Sequence, residues 1–235
     1  MKKSSKIAIA FMIVTAFLLS GCSSDKSKDA TAVVSSDVSS GIVISEKDDF
    51  FTPETIRNLE KYLEQGVTIR DGLKKSGIVT FAKDGSIHSI SQVSLSPAFI
   101  WGLELNDKKL GKDKLDTILK ENDEIGISIE PADPNNIAKD IRYSVLKLNG
   151  GNLQPGISHT YILPYSENES VREMLLHTDI VKLSKDKRMI EAVNGYVRKP
   201  EEKWAVKVNG KELGENGFDM KLTPRDEVEI KLERA

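Results

Sequence analysis

The sequence predicts an α+β protein built of two tandem units, each a small mixed sheet with one crossing helix, behind a signal peptide and a flexible tether. Three observations predict it: one phrase is spelled twice about a hundred residues apart, strand-like alternation surrounds both spellings, and the N-terminal segment has a different composition from the rest. A chain of 235 residues has room for one or two cored domains. Its 39% hydrophobic and 30% charged residues, with a formal net charge of −2, argue against a disordered chain and against a strongly basic nucleic-acid binder. No nucleic-acid partner is expected.

Residues 1–21 read as a signal peptide. Lys2, Lys3 and Lys6 form a positive start, Ile7 to Leu19 an apolar run, and "LSGC" ends on small residues before Cys22. Spanning a bilayer takes about 20 apolar residues, so this run is short for a membrane helix. "LSGC" resembles the lipobox of bacterial lipoproteins. That resemblance implies diacylglycerol on the Cys22 thiol, cleavage before Cys22, a fatty acyl chain such as palmitate on the new N-terminus, and a lipid-anchored place on the extracytoplasmic face of a cell membrane. Cys22 is the single cysteine, so no disulfide can form. An uncleaved anchor, or a secretory signal in which Cys22 is incidental, is the competing reading. Losing three lysines takes the charge from −2 to −5, suited to a soluble body held off an anionic surface. Residues 22–40, rich in Ser, Asp and Lys, bury too little to offset their ordering entropy and read as the tether.

The repeat sets "WGLELNDKKL" from Trp101 on "WAVKVNGKEL" from Trp204 without a gap. Over thirty positions eleven residues are identical, against about two expected from ordinary composition. Trp204, Val206 and Val208 alternate with Ala205, Lys207 and Asn209, the period of a half-buried strand. Asn209-Gly210, and Asn106-Asp107 less ideally, suit a two-residue hairpin turn. "DEIGISIE" and "DEVEIKLE" alternate as closing strands, with Ile125, Ile127 and Ile129, and Val228, Ile230 and Leu232, facing inward.

Upstream, Thr68 opens a helix that stops at Gly77, and Ser170 with Glu173 writes a capping box before "VREMLL". Paired β-type runs follow each helix, "IVTF" and "SIHSI", then "IVKL" and "MIEAV"; "GIVIS" opens the first unit, and "YSVLKLNG" with "HTYILP" the second. The first unit has an additional helix, capped by Thr52 with Pro53 at its first position and an apolar stripe of Ile56, Leu59 and Leu63. The units are placed at 41–130 and 141–235, joined by a linker at 131–140 that is rich in Pro and Asn.

On "SVREMLL", "IEAVNGY", "WAVKVNGKEL" and "LTPRDEVEIKLE", residues 169–233 resemble the transcobalamin-like C-terminal domain, a β-grasp module, and residues 68–130 look like a more divergent copy. The resemblance implies two tandem β-grasp-like domains with a strand edge and loops near each tryptophan able to contact a ligand. In the eukaryotic carriers that domain covers one face of cobalamin. A cobalamin-like ligand is implied by the resemblance alone, and no helical barrel to hold the other face is written here; no resident cofactor is expected.

Trp101, Trp204 and Tyr196 are the candidate ligand-binding residues, because an aromatic beside a polar loop can stack on a flat ligand. The alternation that groups each indole with inward Val or Leu makes core packing the competing reading. His88, His159 and His177 lack metal-ligand spacing, so no metal site is expected. "GISHT" is not a nucleophile elbow and no glycine-rich phosphate loop is present, so no catalytic residue is assigned. The expected function is a non-enzymatic lipoprotein that presents two binding domains to a small ligand or surface polymer. The alternative is an envelope adaptor that binds another protein.

Overall fold

The structure is a computed structural model that describes residues 42–133, 135, 141–214 and 217–235. The expected signal peptide and tether, with Cys22, and part of the expected 131–140 linker lie outside the described residues. The described fold is mixed α+β, mostly sheet, with three α-helices and fifteen strands among the described residues, which fall in one compact unit. None of its described helices is long and apolar enough to cross a membrane.

The first half runs β1 (Val43–Glu46), α1 (Pro53–Tyr62), α2 (Ile69–Lys75), β2 (Val79–Phe81), β3 (Ile87–Ile90), β4 (Val93–Leu95), β5 (Phe99–Leu105), β6 (Lys108–Leu110) and β7 (Glu124–Pro131). Helix α1 starts where Thr52 accepts the Thr55 N–H and Pro53 takes the first turn, which needs no amide donor there. It buries Leu59 and, just beyond its last turn, Leu63. Helix α2 is capped by Thr68, which accepts from Asp71, and it lies close to the end of α1 at Gly72, where a Cβ would sit 2.7 Å from the Tyr62 carbonyl oxygen. Strands β1, β7, β5 and β6 form a sheet in that order. β7 is parallel to β1 and antiparallel to β5, with Trp101 opposite Ile129 and Leu103 opposite Ile127. The predicted inward isoleucines of β7 are all buried.

The second half runs β8 (Tyr143–Asn149), β9 (His159–Pro164), α3 (Val171–Leu176), β10 (Val181–Leu183), β11 (Ile190–Val193), β12 (Tyr196–Val197), β13 (Glu202–Val208), β14 (Lys211–Glu212) and β15 (Glu227–Arg234). Its capping box is complete: Ser170 Oγ accepts the Glu173 N–H, and the Glu173 carboxylate accepts the Ser170 N–H. Apart from β9, it copies the first half ladder for ladder. Trp204 faces Leu232 as Trp101 faces Ile129, and β15 is parallel to β8 as β7 is to β1. The irregularity between Thr80 and Phe81 recurs between Lys182 and Leu183. Asn106 and Asn209, both at positive φ, each donate to an aspartate, Asp123 or Asp226, and accept the N–H of the next glutamate. Arg70 reaches Asp116 as Arg172 reaches Asp219.

Two hydrophobic clusters follow the two halves, but the halves are not sealed off from each other. β4 pairs in parallel with β9, which makes an eight-stranded sheet of order β14-β13-β15-β8-β9-β4-β3-β2. Tyr143, Val145 and Ile162 from the second half belong to the first cluster. This junction was not legible in the sequence, because β4, β6, β12 and β14 have only two or three residues and such short runs carry no readable period.

Candidate functional site

Each half has a groove beside its tryptophan strand. In the first half it has a volume of about 760 Å³ and is walled by the consecutive β5 residues Ile100, Trp101, Gly102 and Leu103. Successive strand residues point to opposite faces, so a cavity lined by a continuous run meets the strand at its edge. The topology agrees. β6 pairs only with Leu103 to Leu105, which leaves the first part of β5 without a neighbour on that side among the described residues. Ile87, Leu95, Leu110 and Leu115 supply the apolar wall. Charge collects at the rim, where Lys109 meets Glu130 at 2.8 Å and Lys112 meets Asp84 at 3.2 Å.

The second groove, about 400 Å³, lies beside the run from Glu202 to Val206, and Ile190, Leu213 and Phe218 stand where Ile87, Leu110 and Leu115 stand in the first. Again the short outer strand stops early, since β14 pairs only with Lys207 and Val208. The edges differ in one respect. The Arg198 guanidinium donates to the Glu202 carbonyl oxygen at 3.0 Å, while its counterpart by register, Leu95, has no polar atom to offer the Phe99 carbonyl.

The electrostatics are local. Asp84 is held down to about 2, first by the Ser86 hydroxyl and N–H and then by Lys112, so the first rim keeps this anion at any physiological pH. Glu202, only 3% exposed, is held below the usual carboxylate range by the Lys199 N–H and the Tyr196 hydroxyl, which donate to it at 2.8 and 2.9 Å. The same carboxylate pushes the Tyr196 hydroxyl up. Burial pushes His159 down, with the nearby His88 adding to it, and His159 hydrogen-bonds Ser94 at 2.9 Å where β4 meets β9.

Of the three candidate aromatics, one indole lines each groove and Tyr196 lines neither. Trp101 is 8% exposed, lines the first groove and packs against Phe51 at 5.6 Å between ring centroids. Trp204 is half-buried and lines the second, with Tyr196 set edge-on to it at 6.2 Å and 88°. Tyr196 backs this indole and anchors Glu202. Both indole Nε1–H groups are buried without an acceptor among the described residues. Cys22, the candidate lipidation site, lies outside the described residues.

Sequence reasoning missed the residues that shape the rims, Glu130, Lys109 and Arg198. The signal available was the repeat register itself, which sets Leu95 on Arg198, Gly102 on Ala205 and Lys109 on Glu212. Gly102 matters because a Cβ there would lie 2.5 Å from Glu130, whose side chain crosses the strand at that point.

No family model matches the chain, and no curated protein matches it. Among solved structures that match is one from Ruminococcus gnavus described as a "putative metal binding protein", 11% identical, with a TM-score of 0.35 over 40% of this chain and 98% of that one. A likeness at that level transfers neither fold nor function. Among the described residues no cluster of three or more His, Cys, Asp or Glu is placed to hold a metal ion.

Proposed function

We propose that this chain is a lipoprotein, anchored through Cys22 on the extracytoplasmic face of a cell membrane, that presents two non-catalytic, β-grasp-like binding modules to a small ligand or surface polymer. One observation carries the reading: both halves place a groove at the same free edge of the same tryptophan strand. Sequence drift over the repeat is extensive, yet the indole, the edge and three apolar wall positions recur. The buried, unpartnered indole N–H groups add support, because a buried donor without an acceptor costs about 1–3 kcal/mol and calls for an explanation.

The reading predicts that a ligand quenches or shifts tryptophan emission and raises Tm, since a ligand that binds only the folded form stabilises it by mass action. Corrinoids, haems, glycans and peptides, tested on the full chain with Trp101→Phe and Trp204→Phe as reporters, cover the ligand classes. Silence across all of them overturns it. The anchor is tested separately, by incorporation of labelled palmitate into the wild type and its loss in Cys22→Ser.

The adaptor reading has its own support in the β4–β9 pairing, where this fold already accepts a strand along an edge of the same kind.

A further inference from the structure

We infer that the first groove takes an extended polypeptide, which adds as a strand along the open edge of β5 opposite Trp101. The inference rests on the reading that these grooves are binding sites, and it names the ligand of the larger one.

The hydrogen-bond phase of β5 settles which backbone groups face the groove. Asn106 N–H donates to the Glu124 carbonyl and Ala132 N–H to the Ala98 carbonyl, so even-numbered β5 residues bond toward β7. In an antiparallel ladder the alternate residues bond to the opposite side. Leu103 and Leu105 do so against β6, and Trp101 is next in that series. The chain of β6 then leaves the ladder, turning after Leu110 into a 3-10 turn at Lys112–Lys114. The N–H and C=O of Trp101, and the C=O of Phe99, are therefore directed into a groove of about 760 Å³. The Phe99 N–H is already given to Ser96.

A polypeptide is the ligand whose chemistry repeats in step with those groups. Continuing the line of β6, a strand would set one residue opposite Trp101, where it exchanges two backbone hydrogen bonds. That residue's side chain falls on the Trp101 face, against Leu95, Leu110 and Leu115, and so should be aliphatic. Its two neighbours fall on the other face, beside Glu130 and Lys109, and should be charged. The fold supplies an internal precedent, because β9 is such a strand, laid along β4 through Thr160, Tyr161 and Ile162. The second groove is closed to this mode. There Arg198 occupies the Glu202 carbonyl that corresponds to that of Phe99, and the volume is about 400 Å³.

The test uses the full chain in detergent and an acetylated, amidated heptapeptide in which valine alternates with lysine and glutamate. Titration followed by tryptophan emission should show saturable binding below about 1 mM, with slowed hydrogen exchange at the Trp101 amide. N-methylation at every valine removes the donors that face β5 and should weaken binding roughly tenfold or more, while N-methylation at every charged residue should be tolerated. Leu95→Arg, which copies the Arg198 cap into the first half, should weaken binding while circular dichroism shows the chain still folded at the assay temperature; Arg198→Leu should open a second site. Equal effects of the two methylation patterns, unchanged affinity in Leu95→Arg, or no binding by the folded chain each overturn the inference. A glycan or corrinoid that binds where the peptide does not would overturn it and leave the binding-module reading standing.

Discussion

The strand that opens each sheet, β1 in the first half and β8 in the second, has an outer edge to hide, and the two halves hide it differently. In the first, α1 lies against β1 and Glu60 accepts the Ile44 N–H at 3.5 Å. In the second, β9 folds back along β8 from Tyr143 to Leu148. Exposed edges invite unwanted pairing, so both are covered. A helix consumes an edge and offers none, whereas a strand consumes one and presents another. The new edge is where β4 attaches, so the strand solution in the second half is what joins the halves. The repeated ladders are kept, and the part that differs makes the connection.

The joint is also where breaking the comparison costs most. Ile162 is fully buried, pairs with both Val145 and Leu95, and packs in the first core although it belongs to the second half. Ile162→Ala should cost about 3 kcal/mol through lost transfer energy and the cavity left behind. Urea denaturation should then show the halves separating into two transitions. A single transition with a small shift in midpoint would mean that the joint is incidental to cooperativity.

A smaller effect should show how equivalent the copies are. Asn106 and Asn209 hold matching clamps, each donating to an aspartate at 2.7 or 2.8 Å and accepting the next glutamate N–H, each at positive φ. Replacing either with Ala removes both hydrogen bonds and strains the backbone, about 2 kcal/mol in each case. Chemical denaturation of the two variants should give similar losses; a difference larger than about 1 kcal/mol would show that one clamp bears more of the fold.

The Glu202 contribution to the acid limb of stability belongs to the second half, since its counterpart in the first is Phe99. Its folded pKa is depressed, so its contribution is present above the unfolded value near 4.5 and is lost as pH falls through the lower folded value. Glu202→Gln should therefore lower Tm at pH 7 and lose less than the wild type on further acidification. Parallel pH profiles for the two proteins would contradict the hydrogen bonds from Lys199 and Tyr196.

Much of this architecture could be read from residues whose signal is local. Thr52, Thr68 and Ser170 start helices by side-chain caps, and Ile125, Ile127 and Ile129 alternate because one face of β7 is buried. The grooves were only half legible. Trp101 and Trp204 could be picked out as aromatics near loops, but the free edge beside them depends on β6 and β14 ending early, and nothing in "KKL" or "KE" announces where a ladder stops. Glu130 reaches the first rim by crossing Gly102 on a neighbouring strand, a contact set by register between segments nearly thirty residues apart.

The smallest expected effect has the opposite sign. The β3–β4 turn holds Ser91 at φ 49° and Gln92 at φ 65°, where its counterpart holds Asn194 and Gly195 at 47° and 77°. Both turns need positive φ twice, and the second uses the residues that tolerate it. Gln92 pays about 1 kcal/mol for that geometry, so Gln92→Gly should stabilise by roughly 0.5 kcal/mol once the added freedom of the unfolded chain is deducted. Gly195→Ala should cost about 1 kcal/mol for the converse reason. The strained version sits at the joint: the Gln92 carbonyl accepts the Thr160 N–H at the start of the β4–β9 ladder, and the Ser91 hydroxyl bonds Thr55 on α1. If Gln92→Gly instead lowers Tm, a stiff turn at that point is needed to hold β9 in register, and the strain belongs to the connection between the copies.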